Sequence, residues 1–173
     1  MIRALVLADT HIRPGRARRL PDAVYAELEH ADVVLHAGDV LTRDLLDELS
    51  GFAPVHAVLG NNDADLVGLL PETLELELAG VTVAMVHETG PTKGRAARIH
   101  RRFPNAAVVI YGHSHQPADE VGVDGQRLFN PGSATERRRA PHHTFGRLAF
   151  RTGRLVRHEI VPVLAQGRRR PRR

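Results

Sequence analysis

The sequence contains no cysteine and no tryptophan, and aromatic residues make up only 4% of it. Without cysteine there can be no disulfide, no thiolate-ligated zinc or iron–sulfur cluster, and no thiol nucleophile. With so few aromatics, a stacking platform for single-stranded nucleic acid is poorly supported. Lysine is nearly absent too: of 24 basic residues, only Lys93 is not arginine, which reads as codon bias rather than function. No apolar run reaches the roughly 20 residues needed to cross a bilayer. The apolar start, Met1 to Ala8, meets Asp9-Thr10-His11 at once and carries no signal-peptide cleavage pattern. The expectation is a cytoplasmic protein with no membrane partner. Neither G-x-x-x-x-G-K-[ST] nor G-x-G-x-x-G occurs, which disfavours P-loop and dinucleotide-binding enzymes.

What is present is the composition of one ordinary globular domain, with 173 residues, 42% hydrophobic and 25% charged. The net charge of +4 is lopsided, because Gly167 to Arg173 holds five arginines and no acid. The remainder has 19 basic residues against 20 acidic ones. That near-neutral body weakens any case for a nucleic-acid groove built from net charge. The domain is expected over residues 1–163, and residues 164–173 form an Arg-rich tail expected to be disordered.

Apolar periodicity predicts alternating strands and helices. Ile2 to Ala8, Asp32 to Ala37, Pro54 to Leu59, Val81 to Val86 and Ala106 to Tyr111 are short apolar runs of strand length. Leu20 to His30 and Thr42 to Leu49 carry leucines at helical spacing, with Thr42 placed to cap the second. Thr92 to Phe103 predicts a basic helix whose Arg95, Arg98, Arg101 and Arg102 form an exposed face. Leu74 to Leu78 alternates, and residues 119–130 and 143–162 read as strands with turns at Asp124-Gly125 and Thr152-Gly153. The sum is an α/β domain whose sheets pack together with helices outside.

Each buried run ends in polar residues: Asp9-Thr10-His11, Gly38-Asp39, Gly60-Asn61-Asn62-Asp63, His87, and Gly112-His113-Ser114-His115. Open α/β sheets bind ligands beyond the carboxyl ends of their strands. Five strand ends can therefore deliver Asp9, His11, Asp39, Asn61, His87, His113 and His115 to one place. Carboxylate, imidazole and amide donors suit manganese, iron, nickel or zinc. Seven are too many for one catalytic ion that keeps an open position, and they suit two ions sharing a carboxylate. Gly38, Gly60 and Gly112 precede ligand positions, where a missing Cβ permits tight turns.

In this order, these motifs resemble the calcineurin-like metallophosphoesterase superfamily, and the short length resembles its small bacterial and archaeal phosphodiesterase branch. Asn130-Pro131-Gly132-Ser133 is also familiar from that branch. The resemblance spans residues 1–162 and implies a four-layer α-β-β-α sandwich with a dinuclear metal site at the strand ends. By motif position, Asp9, His11, Asp39 and His115 would hold one divalent ion. Asp39, Asn61, His87 and His113 would hold the other, with Asp39 as the bridge. Manganese is the expected metal, with iron, nickel or zinc as alternatives. A hydroxide between the ions would attack phosphorus in a small phosphate ester. Asp39, Asn62 and Asp63 are the catalytic candidates, Asp63 standing behind the ligands to orient a histidine. Relatives often self-associate, so a homo-oligomer is among the expected partners.

Two departures bear on activity. Many members have histidine at the position of Asn62, where it protonates the leaving group; an amide cannot do so near neutral pH. Close relatives often read His-Gly-His where this chain reads His87-Glu88-Thr89, and an acid there would repel a phosphate. His36 reads as a core histidine. Arg137 to Arg139 reads as a solvated run, the sharper alternative being that one of these arginines reaches the substrate phosphate. The leading expectation is a phosphodiesterase. The rivals are a nuclease of the same chemistry and a non-catalytic scaffold, as in the retromer subunit of related fold.

Overall fold

A parallel strand buried on both faces must be apolar at every position, and β1 (Ile2–Leu7) is nearly so. Ala4 and Val6 turn to one side, Leu5 and Leu7 to the other. The computed structural model, which describes residues 1–164, accounts for both faces. After β1 come α1 (Asp22–Leu28), β2 (Val33–His36), α2 (Arg43–Ser50) and β3 (Val55–Ala57). A hairpin of β4 (Thr73–Leu78) and β5 (Val81–Val86) follows, then α3 (Arg95–Arg102) and β6 (Val108–Ile110). The chain ends in β7 (Ala118–Val121), β8 (Arg127–Asn130), β9 (Thr144–Arg151) and β10 (Arg154–Pro162).

These strands form two five-stranded mixed sheets, ordered β10-β9-β1-β2-β3 and β4-β5-β6-β8-β7. Val6, Leu35, Val83, Met85, Ile110, Phe129 and Phe150 fill the space between the sheets. Leu5, Leu7 and Val34 face α1 and α2, which contribute Val24, Leu28, Leu45 and Leu49. Ala84, Val86 and Val109 face α3 through Ile99 and Phe103. The layers are thus helix, sheet, sheet, helix, the α-β-β-α sandwich expected. Strands β1, β2 and β3 are mutually parallel, as are β5, β6 and β8. The polar segments following β1, β2, β3, β5 and β6 therefore leave the carboxyl ends of parallel strands.

Two local expectations change. Thr42 sits at the N-cap of α2 but makes no side-chain capping bond; its hydroxyl donates instead to the Ile12 carbonyl at 3.5 Å, tying α2 to the loop after β1. The arginines of α3 are not all solvated. Arg95 donates to the Thr89 and Tyr111 hydroxyls, and Arg98 donates to the carbonyls of Thr89, Pro91 and Lys93. Both fasten the loop after His87 to the helix. The expectation for the Arg-rich tail falls, beyond Leu164, outside the described residues. Among the described residues no helix is long and apolar enough to cross a membrane.

Candidate metal centre

All seven side chains singled out in the sequence converge at one end of the two sheets. Asp9 and Asp39 are buried, as are His87 and His115. His11 Nε2 lies 3.2 Å from His115 Nε2 and 3.4 Å from Asp39 Oδ2. His115 Nε2 is 3.5 Å from Asp9 Oδ1, and His87 Nε2 is 3.5 Å from Asp39 Oδ2. Asn61 Oδ1 lies 3.0 Å from both His87 Nε2 and His113 Nδ1. Two donor groups result, Asp9 with His11 and His115, and Asp9 with Asp39 and His87.

These separations are those of a coordination shell. With bonds of about 2.1 Å, neighbouring ligand atoms of a tetrahedral or octahedral ion stand about 3.0–3.4 Å apart. Two facing ring nitrogens, as in His11 and His115, gain little from each other unless a proton or a cation lies between them. Asp9 Oδ2 is buried and has no hydrogen-bond partner among the described residues, a condition that is costly for a carboxylate unless a cation answers it. The residues present fit a metal.

The second nitrogen of each of the two buried ligand imidazoles, His87 and His115, is fixed from behind. His87 Nδ1 donates to the Ala37 carbonyl at 2.7 Å, and His115 Nδ1 donates to the Glu136 carbonyl at 2.5 Å. Each bond leaves the Nε2 lone pair turned toward the carboxylates. His36, fully buried, holds the Thr10 hydroxyl at 3.0 Å and joins neither donor group. It is a core histidine, and burial pushes it down to about 3, so it stays neutral.

The two carboxyls are driven apart. Burial, reinforced by Asp39 and partly offset by His87, pushes Asp9 up to about 7. Asp39 also suffers burial, but His87 and the Asn62 backbone N–H outweigh it and hold Asp39 below the usual carboxylate range. A proton on Asp9 competes with a metal ion. Manganese affinity of the metal-stripped protein should therefore fall by about tenfold between pH 8 and pH 6, with protons released on binding. Calorimetric titration in buffers of different ionisation enthalpy measures both; an affinity flat across that range would contradict the assignment of Asp9.

Backbone conformation carries its own signal. Asp9, His11, Asp39, His113 and His115 all have positive φ, between 46° and 69°. For non-glycine residues this costs about 1 kcal/mol or more each, and it persists only where surrounding bonds enforce it. Those bonds run between loops from different strands. Asp9 N–H donates to the Gly38 carbonyl, His11 N–H to the Asp39 carbonyl, and Gly112 N–H to the His87 carbonyl. His113 N–H donates to Asp9 Oδ1 at 3.2 Å.

The residues beside the ligands have partners of their own. Asp63 orients no histidine; its carboxylate accepts from the backbone N–H groups of Asp39, Gly60 and Leu41 at 2.9, 2.7 and 2.8 Å. It clamps the loop carrying Asp39 to the loop carrying Asn61. Asn62 donates through Nδ2 to Asp39 Oδ2 at 2.8 Å and through its backbone to Oδ1 at 2.9 Å. Among Arg137 to Arg139, it is Arg138 that approaches the cluster, its guanidinium 3.5 Å from the His113 carbonyl; Arg137 turns to the Ala140 carbonyl, and Arg139 is exposed. The glycines also divide. Gly38 has φ 91°, as a tight turn requires. Gly60 has no such φ, and serves by leaving room: a Cβ there would lie 2.1 Å from Asp39 Oδ1.

Asn130 to Ser133 ties the ligand loops to one another. Asn130 Nδ2 donates to the Gly112 carbonyl and the Ser114 hydroxyl, and the Ser133 hydroxyl donates to the Asp9 carbonyl. Thr135, not foreseen, donates to the Thr10 carbonyl at 2.6 Å. This segment fastens the first and last ligand loops together.

Residues 2–153 match the model of the calcineurin-like phosphoesterase superfamily domain. A probable metallophosphoesterase of Methanothermobacter thermautotrophicus is 35% identical over 132 residues, covering 75% of this chain and 76% of that protein. A probable metallophosphoesterase of Methanocaldococcus jannaschii is 35% identical over 136 residues, covering 75% of this chain and 67% of that one. Among solved structures, a Thermotoga maritima protein superposes with a TM-score of 0.73 at 30% identity, over 94% of this chain and all of its own. Vps29 of Entamoeba histolytica, crystallised with zinc, superposes with a TM-score of 0.75 over 94% of this chain and 98% of its own. At 23% identity that last likeness speaks of fold alone.

Proposed function

The chain belongs to the calcineurin-like phosphoesterase superfamily, and from that premise we propose that it is a cytoplasmic phosphodiesterase acting on small phosphate esters with two divalent ions, manganese foremost. The ions would be held by Asp9, His11, Asp39 and His115 on one side, and by Asp39, Asn61, His87 and His113 on the other. The observation that carries this reading is the inward turn of three imidazoles, His11, His87 and His115, and two carboxylates, Asp9 and Asp39, to separations of 3.2–3.5 Å. When bound, such ions supply Lewis acidity, making water nucleophilic and neutralising phosphoryl charge.

The chain's own residues prepare for that chemistry. Asp39, ionised by its hydrogen bonds, keeps a full negative charge between His11 and His87. The carbonyls of Ala37 and Glu136 prevent His87 and His115 from rotating away. Arg138, beside His113, adds positive charge at the mouth where an anionic ester would arrive. Asn62, bound to Asp39, supplies a hydrogen-bond donor and no acid.

A nuclease of the same chemistry is disfavoured by the near-neutral body, with 19 basic against 20 acidic residues outside the last seven. A scaffold would have no need of all seven ligand positions. The test is turnover of bis(p-nitrophenyl) phosphate and p-nitrophenyl phosphate by metal-stripped protein, with and without manganese. Manganese-dependent cleavage favouring the diester is expected. Folded protein that cleaves neither ester with any divalent metal would overturn the reading and favour the scaffold.

A further inference from the structure

Between β1 and α1 the chain reads Arg13-Pro14-Gly15-Arg16-Ala17-Arg18-Arg19, four arginines in seven residues with no acid before Asp22. Arg19 is spent locally, pairing with Asp22 at 2.5 Å and lying over the Tyr25 ring. The other three line a cleft of about 440 Å³ together with His11, Leu41 and Glu136. That volume suits a small-molecule ligand. His11 is shared: one wall of the cleft is a candidate metal ligand, so the cleft opens directly from the centre.

The cleft has an excess of positive charge. Arg18 is held at 2.7 Å by Glu136, and lies 3.4 Å from the His11 carbonyl. Arg13 and Arg16 have no acidic partner among the described residues. Three guanidinium groups thus face one carboxylate. No phenylalanine, tyrosine or tryptophan lines the cleft, so it lacks a broad platform to stack a base or grip a single strand. Arginine geometry instead suits a phosphate or another oxyanion, taken by two parallel N–H bonds.

We propose that the Arg13–Arg16–Arg18 cleft receives a second phosphate of the substrate, so that the enzyme prefers phosphodiesters carrying a further phosphate group over singly charged diesters. This rests on the phosphodiesterase reading above, and adds the class of ester. The scissile phosphate would sit at the cluster and the second beyond His11, against Arg13 and Arg16.

Two chromogenic esters with the same leaving group separate the claims. Thymidine 5′-(p-nitrophenyl phosphate) carries one phosphate, and its 3′-phosphorylated counterpart carries two. With manganese, kcat/KM should be about tenfold or more higher for the second, expressed mainly in KM, as expected of charge-assisted hydrogen bonds. In Arg13→Ala/Arg16→Ala the ratio should fall to near one, while Arg13→Lys/Arg16→Lys keeps part of it. A wild-type ratio near one, with both esters cleaved, overturns this inference and leaves the phosphodiesterase reading standing. If neither ester is cleaved, that reading falls and the substrate class with it. Inorganic pyrophosphate binding to the metal-stripped protein, followed by calorimetry, reads the cleft without turnover. Binding about tenfold weaker in the double alanine variant is expected, and equal binding would overturn the assignment.

Discussion

Asp39→Asn should reduce kcat on bis(p-nitrophenyl) phosphate by about 10³-fold or more, the equivalent of losing several kcal/mol of metal-based charge stabilisation. The reason lies in one oxygen. Asp39 Oδ2 stands 3.4 Å from His11 Nε2 and 3.5 Å from His87 Nε2, and it belongs to both proposed ligand sets. An amide of the same shape offers a neutral oxygen on one side only. Its NH₂ would face imidazole lone pairs or the Asn62 amide that now donates to this carboxylate at 2.8 Å. Loss of the charge costs the apo fold the bonds that hold Asp39 ionised, partly offset by relief of its repulsion with Asp9. Thermal unfolding separates the two effects. Metal-stripped Asp39→Asn should still unfold cooperatively but melt below metal-stripped wild type, because the amide loses the hydrogen bonds that Asn62 and His87 make to the ionised carboxylate, and manganese should raise the melting temperature of the wild type alone. Retention of both activity and manganese stabilisation would remove Asp39 as the bridge.

The second large effect concerns the leaving group. General acid catalysis is worth about 10²–10⁴-fold, and the family resemblance implies that Asn62 stands where a histidine would supply it. p-Nitrophenolate departs without a proton, whereas an alkoxide does not. A dialkyl phosphodiester should therefore be cleaved at least about 10²-fold more slowly, relative to the nitrophenyl ester, than general acid catalysis would permit. Asn62 is exposed at the mouth of the site, and its backbone N–H already anchors Asp39 Oδ1 at 2.9 Å. A histidine there keeps that backbone bond. Asn62→His should accelerate cleavage of the dialkyl ester and leave the nitrophenyl ester nearly unchanged. Comparable wild-type rates on the two esters would show that another group protonates the leaving oxygen.

The fold was legible because its parallel strands are buried on both faces. Alternate residues of β1 reach different cores, as Val6 and Leu5 do, and both must be apolar. The ligand positions were legible for a related reason. Polar residues placed immediately after such a run can only gather at the strand ends, and five segments did so. What could not be read was how those segments hold each other. Asp63 lies 24 positions from Asp39, and nothing in that spacing says its carboxylate collects three backbone N–H groups. Ser133 reaches the Asp9 carbonyl across 124 positions. Of Arg137 to Arg139 it is Arg138 that approaches the site, 3.5 Å from the His113 carbonyl, a choice that a run of three like residues does not announce. Such contacts depend on loop conformations set by tertiary hydrogen bonds, which periodicity does not encode. The room made by Gly60 belongs with them, since its necessity appears only when Asp39 is seen packed against it.

The central claim is that seven side chains from five strand ends form a place for two metal ions. Titrating metal-stripped protein with manganese, while following bound metal and diester cleavage together, tests it most directly. Saturation is expected at two ions per chain, with cleavage complete only when the second site fills. Saturation at one ion with full activity, or no binding by folded protein, would contradict it.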